Sequence, residues 1–239
     1  VEYHHSLVAP MFNHVVIDGV YKSPERNALL DLSHQVTGIS HSHAVLAVKH
    51  FTERLKKVSD FSKDQVVNIY TAVNGSSQSP YINSIPRSTS AGWPEKGKKY
   101  EHLIECPTDT APDGLIPTQY VFDRVVKSLQ LASDGRRSGV VYKTCLKDEP
   151  RDLSKVEDRK IRLFTLGPMT SLITTKMYYG MFMGIFTANA LDVETVGGLN
   201  CFSPDWGLVY KNLSRHPHII NGDFRKFDKK TSTFMMMCA

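Results

Sequence analysis

The feature that most limits what this chain can become is an apolar run, Met177 to Leu191, with no charged residue between Lys176 and Asp192. A membrane span needs about 20 consecutive apolar residues. This run is shorter, and Thr187 and Asn189 interrupt it. It therefore reads as a buried helix, from about Pro168 to Ala190, with Gly180 and Gly184 letting a neighbour approach closely. Covering such a helix requires a sizeable core, and 239 residues suffice for one large domain or two small ones.

Around this run the periodicity implies further elements. Residues 1–43 are irregular, with a strand-like piece at His14–Gly19 and a turn at Ser23–Pro24. From His43 to about Lys57, Val45, Leu46, Val48, Phe51 and Leu55 recur at helical spacing. A second helix begins at Ser62, where Ser62 and Gln65 form a capping box, and ends before Gly75. Residues Pro117 to Ala132 form an amphipathic helix on Val121, Val125, Val126 and Leu129, followed by a turn at Ser133–Gly135. Val140 to Lys147 reads as a strand, and a further helix runs from about Pro204 to Ser214.

Two stretches carry candidate chemistry in the middle of the chain. Between Asn74 and Pro117 Gly, Ser, Pro and Lys dominate, and Ser88-Thr89-Ser90-Ala91-Gly92-Trp93-Pro94 precedes Lys96, Lys98 and Lys99. Hydroxyls, a glycine and an aromatic suit contact with a nucleic-acid backbone, although a plain loop has the same composition. From Lys143 to Arg162 there are seven basic and five acidic residues. Acids so interleaved can orient particular cations while others meet phosphate, or can pair locally on a solvated hairpin. Lys160 to Phe164 alternates like a strand, which places Lys160 and Arg162 on one face. A triphosphate needs such cations for charge developing on its leaving pyrophosphate.

Near the end, His218 to Phe224 reads as a short strand that delivers Asp223, with Asp228 five positions later. Two carboxylates at a strand end suit a magnesium-dependent phosphoryl-transfer site, because Mg²⁺ takes oxygen ligands shared with substrate phosphates. A strand followed by a charged, solvated turn fits the same spacing.

The net charge of +5 mildly favours an anionic partner and decides nothing alone. Four scattered cysteines without a Cys-x-x-Cys pair argue against a disulfide scaffold or zinc knuckle and suit a reducing compartment. The histidine pairs His41/His43 and His216/His218 lack partners at zinc-ligand spacing. The opening residues, broken by Glu2, His4 and His5, do not form a signal peptide. No Walker-type Gly-Lys-Ser/Thr or dinucleotide fingerprint occurs.

Taken in order, four segments resemble the N-terminal part of a picornavirus-like RNA-dependent RNA polymerase, of the picornavirus, dicistrovirus and iflavirus type. Thr89-Ser90-Ala91-Gly92-Trp93-Pro94 resembles motif G, at the template entry channel. Lys147-Asp148-Glu149-Pro150-Arg151, with Lys155 and Lys160-Ile161-Arg162, resembles motif F, over the incoming nucleotide. Val196-Gly197-Gly198 through Ser203-Pro204-Asp205-Trp206 resembles the segment before motif A, and Gly222 to Asp228 resembles motif A. The likeness covers roughly 85–235, and the first 80 residues only loosely. Trp93 and the Ser-Pro-Asp-Trp segment lean toward the insect-infecting branches.

The resemblance implies an α+β right-hand architecture: fingers over 1–166, then the end of the fingers and the first strand of an antiparallel palm sheet over 167–239. It implies that Asp223 is the motif A metal ligand, with the Phe224 carbonyl as a further ligand, and that Asp228 reads the ribose hydroxyls. Lys147 and Arg162, with Lys155 and Lys160, match cations on the triphosphate. Glu149 orients one of them, and Thr89, Ser90 and Gly92 lie along the template RNA. The implied cofactor is Mg²⁺, with Mn²⁺ as a possible substitute. The implied partners are an RNA template and primer, nucleoside triphosphates, the remainder of the polymerase and other viral replication proteins. The implied place of work is the host-cell cytoplasm, at virus-induced replication membranes. Motifs B, C and D and the thumb are absent from these residues, and no Gly-Asp-Asp occurs. The 239-residue chain alone is therefore expected to be inactive and marginally stable. Two other readings compete: a non-catalytic RNA- or partner-binding module, and a reverse transcriptase, against which Asp228 speaks.

Overall fold

Backbone hydrogen bonding explains why some of these elements form where periodicity puts them and others do not. A computed structural model describes residues 7–30, 40–59, 66–109, 112–224, 227–232, 234 and 236. They divide into two units that interleave along the sequence: 1–45, 143–166 and 223–239 in one, 46–142 and 167–222 in the other. Helices and small antiparallel sheets make up both, which is the expected α+β class.

The larger unit is built on the apolar run. It forms the helix Met169–Ala188 (α6), with Met169, Thr170, Ile173 and Gly184 buried. Met169 and Ile173 join Ala72, Val73, Ile85, Ala91, Leu103, Val121 and Val125 in one core. These come from Ile69–Asn74 (α3), from Gln119–Ser133 (α4), whose buried stripe is the one its periodicity implies, and from the segment between them, where Gly75–Ser76 (β4) pairs with Ser79–Asn83 (β5) and Leu103–Glu105 (β6) with Leu115–Pro117 (β7). The helical glycines bring neighbours close: a Cβ on Gly184 would lie 3.3 Å from the Ile82 side chain. The run is not buried all round, however. Tyr178, Tyr179 and Met183 are half exposed, so the helix shows the core one face only.

Several boundaries differ from expectation. The helix α3 starts at Ile69, where Asn68 caps it by accepting from Thr71 N at 2.8 Å; Ser62 and Gln65 lie outside the described residues. His41–Val58 (α2) and Asp205–Leu213 (α7) match their periodicity within a few residues.

In the smaller unit Val15–Ile17 (β2) pairs with Val20–Lys22 (β3), and Ser23-Pro24, expected as a turn, opens the helix Pro24–Leu30 (α1). Proline is well placed there, since the first helical residue needs no N–H partner. Lys143–Leu146 (β8) pairs antiparallel with Leu163–Leu166 (β10). Between them Arg151–Asp152 (β9) pairs with Leu7–Val8 (β1), and Leu153–Glu157 (α5) follows. The strand expected from Lys160 begins only at Leu163, so alternation does not place Lys160 and Arg162 together. The strand expected at 218–224 is not formed either: these residues are irregular and exposed. A strand is stable only with a ladder partner, and none pairs with it among the described residues.

Candidate nucleotide and template interface

The basic hairpin is organised by one carboxylate. Glu149 Oε2 lies 2.8 Å from Lys147 Nζ, while its Oε1 lies 3.2 Å from Arg151 Nη1 and 3.5 Å from Arg162 Nε. The hairpin closes at the same place, where Lys147 N donates to Arg162 O at 2.9 Å. The hydrogen bond from Lys147, with the nearby Arg162 and Arg151 guanidiniums, holds the Glu149 carboxyl below the usual carboxylate range against opposing desolvation. Three cations on one anion leave a positive surface. The Arg151 side chain is only 16% exposed, against 47% for Lys147 and 64% for Arg162. Arg151 therefore anchors the group, and the other two face solvent, where planar and point donors can meet phosphate oxygens.

The remaining cations are engaged separately. Lys155 pairs with Asp152 one turn back, and Lys160 Nζ lies 2.8 Å from Asp158 Oδ2. Asp158 also accepts from Lys22 Nζ at 2.7 Å. Held by Lys160 and Lys22, its carboxyl titrates at about 2.

The Thr89–Pro94 loop is braced from within. Lys99 is buried, and its ammonium donates to Thr89 Oγ1 at 2.6 Å and Ser90 O at 2.7 Å. Burial pushes that ammonium's pKa down. Ala91 N donates to Gly97 O, and Met169 N donates to Ala91 O, which ties the loop to the start of α6. Glu95, its side chain fully buried, accepts from Arg124 Nε at 3.0 Å and Thr170 Oγ1 at 3.2 Å. Thr89 and Ser90 are exposed at the loop surface, whereas Gly92 is buried at φ +84° against Gly167. Its role in the fold is close packing.

Asp223 and Phe224 are exposed, and among the described residues no hydrogen bond or ion pair engages the Asp223 side chain. Asp228 falls in the short helix Phe227–Lys230, and its side chain lies outside what the structure describes. No group of three or more His, Cys, Asp or Glu among the described residues is arranged to hold a metal ion. No helix among them is long and apolar enough to cross a membrane.

Sequence reasoning named Glu149, Lys147 and Arg162 but missed Arg151. The signal was there: in an extended chain positions two apart share a face, so Lys147 and Arg151 flank Glu149. It also missed Lys99 and Glu95, since no pattern marks which of Lys96, Lys98 and Lys99 turns inward.

Residues 14–239 match the family described as viral RNA-dependent RNA polymerase. It is 32% identical over 198 residues to the replicase polyprotein of acute bee paralysis virus (strain Rothamsted), covering 79% of this chain and 10% of that one. Against the replicase polyprotein of Drosophila C virus (strain EB) it is 25% identical, covering 72% of this chain and 10% of the relative. Against the genome polyprotein of deformed wing virus it is 25% identical, covering 79% and 7%. The chain thus spans about a tenth or less of these relatives' length. Among solved structures it resembles the Sicinivirus 3Dpol RNA dependent RNA polymerase, with TM-score 0.54 and 22% identity, covering 70% of this chain and 31% of that one. That likeness shows the fold.

Proposed function

The chain belongs to the viral RNA-dependent RNA polymerase family, and from that premise we propose that it supplies the fingers and the start of the palm of an enzyme copying a positive-strand RNA genome. The observation that carries this reading is the Glu149 group, which turns Lys147 and Arg162 toward solvent beside an inward Arg151. Such a surface suits the phosphates of an incoming nucleoside triphosphate, and Lys155 and Lys160 extend it. Thr89 and Ser90, on a loop stiffened by Lys99, lie at the surface where a template backbone would pass. The functional division stays 1–166 for the fingers and 167–239 for the fingers' end and the palm, as distinct from the two compact units.

In the reaction, a strand's 3′ hydroxyl attacks the α-phosphate of the triphosphate, and pyrophosphate leaves. Lys147 and Arg162 hold the β- and γ-phosphates and stabilise negative charge growing on the leaving group. Family membership implies a divalent-metal dependence, and Mg²⁺ is the ion proposed, with Mn²⁺ able to replace it. Asp223, the Phe224 carbonyl and Asp228 are its family-implied neighbours, Asp228 reading the ribose. The described residues offer one exposed carboxylate there, which by itself does not make a metal site. By the same resemblance the enzyme works in host cytoplasm, at virus-induced membranes, with other replication proteins.

The test is nucleotide incorporation by the full-length polymerase carrying Asp223→Asn. Loss of incorporation with RNA binding retained supports the assignment. Wild-type incorporation refutes the assignment of Asp223.

A further inference from the structure

Resting on that reading, we propose that the N-terminal segment positions the nucleotide-binding hairpin, with Lys22, Asn27 and Arg159 as positioning residues that keep Lys160 available to triphosphate. The two oxygens of Asp158 are divided between two lysines, Oδ1 to Lys22 at 2.7 Å and Oδ2 to Lys160 at 2.8 Å. Lys22 comes from a strand 136 residues upstream of Asp158. Asn27 Nδ2 donates to the carbonyls of Asp158 and Arg159, at 3.2 Å and 3.4 Å.

Arg159 faces the other way. It is 6% exposed, at φ +56°, and its guanidinium donates to Val156 O, Glu157 O and, across to the N-terminal segment, Asn13 O at 3.0 Å. A buried arginine in left-handed backbone is strained unless its surroundings hold it there. Here three carbonyls do so, two of them at the end of α5. The β1–β9 pairing adds a fourth tie between the same two stretches.

These contacts do more than brace the turn. With one carboxylate shared by two ammoniums, the trio keeps one excess positive charge. Without Lys22, Asp158 would neutralise Lys160 alone, and the turn would lose a cross-link. Both effects withdraw Lys160 from an incoming phosphate and leave the chemical step alone.

The experiment uses the full-length polymerase with Lys22→Met, Lys22→Arg and Arg159→Gly, the last tolerating φ +56° while removing the guanidinium. Steady-state incorporation gives KM for nucleoside triphosphate and kcat separately, beside melting temperature. Lys22→Met should raise KM about threefold to fivefold, the size expected for a partly exposed ion pair, with kcat within twofold, and Lys22→Arg should restore it. Arg159→Gly should raise KM in the same direction. A KM within twofold of wild type in Lys22→Met overturns the proposal. So does a joint fall of kcat and melting temperature with KM unchanged, which marks a merely structural role. Asp223→Asn, run in parallel, separates the two failures. If it is inactive while Lys22→Met leaves KM alone, only the positioning proposal falls; if it is fully active, the polymerase site assignment falls.

Discussion

Replacing Gly92 with alanine tests how the template-side loop is held. Gly92 sits at φ +84°, and a Cβ built there would stand 2.4 Å from Gly167 O, 2.8 Å from Pro168 Cα and 2.9 Å from Gly167 C. All three are backbone atoms, so no side chain can swing aside. An L-residue in left-handed backbone costs about 1–2 kcal/mol, and overpacking adds about 1–3 kcal/mol. Gly92→Ala should therefore destabilise by about 2–5 kcal/mol. Gly135→Ala is the internal control: φ is +68° and nothing lies within 4 Å, so only the conformational cost of about 1–2 kcal/mol applies. Urea denaturation followed by tryptophan fluorescence reads both, since Trp93, one of two tryptophans, adjoins the substituted glycine. With slopes of about 1–3 kcal/mol/M, the Gly92→Ala midpoint should fall roughly 1 M below that of Gly135→Ala. Ala91 O accepts from Met169 N, and both residues belong to the core, so the loss should be global rather than confined to the loop. Equal midpoints for the two variants would refute the close approach of the loop to Gly167.

Other outcomes follow from the same contacts. Glu149→Gln leaves Lys147, Arg151 and Arg162 facing one another without their shared anion, and should raise the nucleotide KM of the full-length polymerase several-fold; an unchanged KM would show that the group does not serve nucleotide binding. Asp158, whose folded pKa of about 2 lies below its ordinary 3.8, contributes stability that is complete above pH 3.8 and is lost as pH falls through about 2. The urea-midpoint gap between wild type and Asp158→Asn should accordingly close across that window, and a gap independent of pH would contradict the pairing. Glu95→Ala removes a buried carboxylate from Arg124 and Thr170; because Arg124 is 39% exposed and can be rehydrated, the loss should be about 1–3 kcal/mol by denaturation.

The helices were legible because their hydrogen bonds are local. The stripe Val121–Val125 and the run after Lys176 announce elements that α4 and α6 then form, whereas the stretch between Asn74 and Pro117, read from its composition as one long loop, holds two short antiparallel pairs whose ladders composition does not announce. The Glu149 group was half legible, since extended backbone puts alternate residues on one side. Lys160 and Arg162 misled, because alternation suggested a strand that hydrogen bonding begins only at Leu163. Each cation instead meets the acid the fold brings near, Lys160 meeting Asp158 and Arg162 meeting Glu149.

By itself, then, the sequence determined the class of fold, the positions of the main helices, and the order of candidate segments from Thr89 to Asp228. Only the tertiary structure decided which charges are spent on the fold and which face outward. Arg151, Arg159 and Lys99 turn inward while Lys147 and Arg162 stay exposed, and Lys22 meets Asp158 from 136 residues away. It also decided that residues 218–224 form no strand among the described residues. The physical reason is common to all of these. A helix completes its hydrogen bonds within a few residues, whereas a strand, an ion pair and a buried cation each need a partner that only folding supplies.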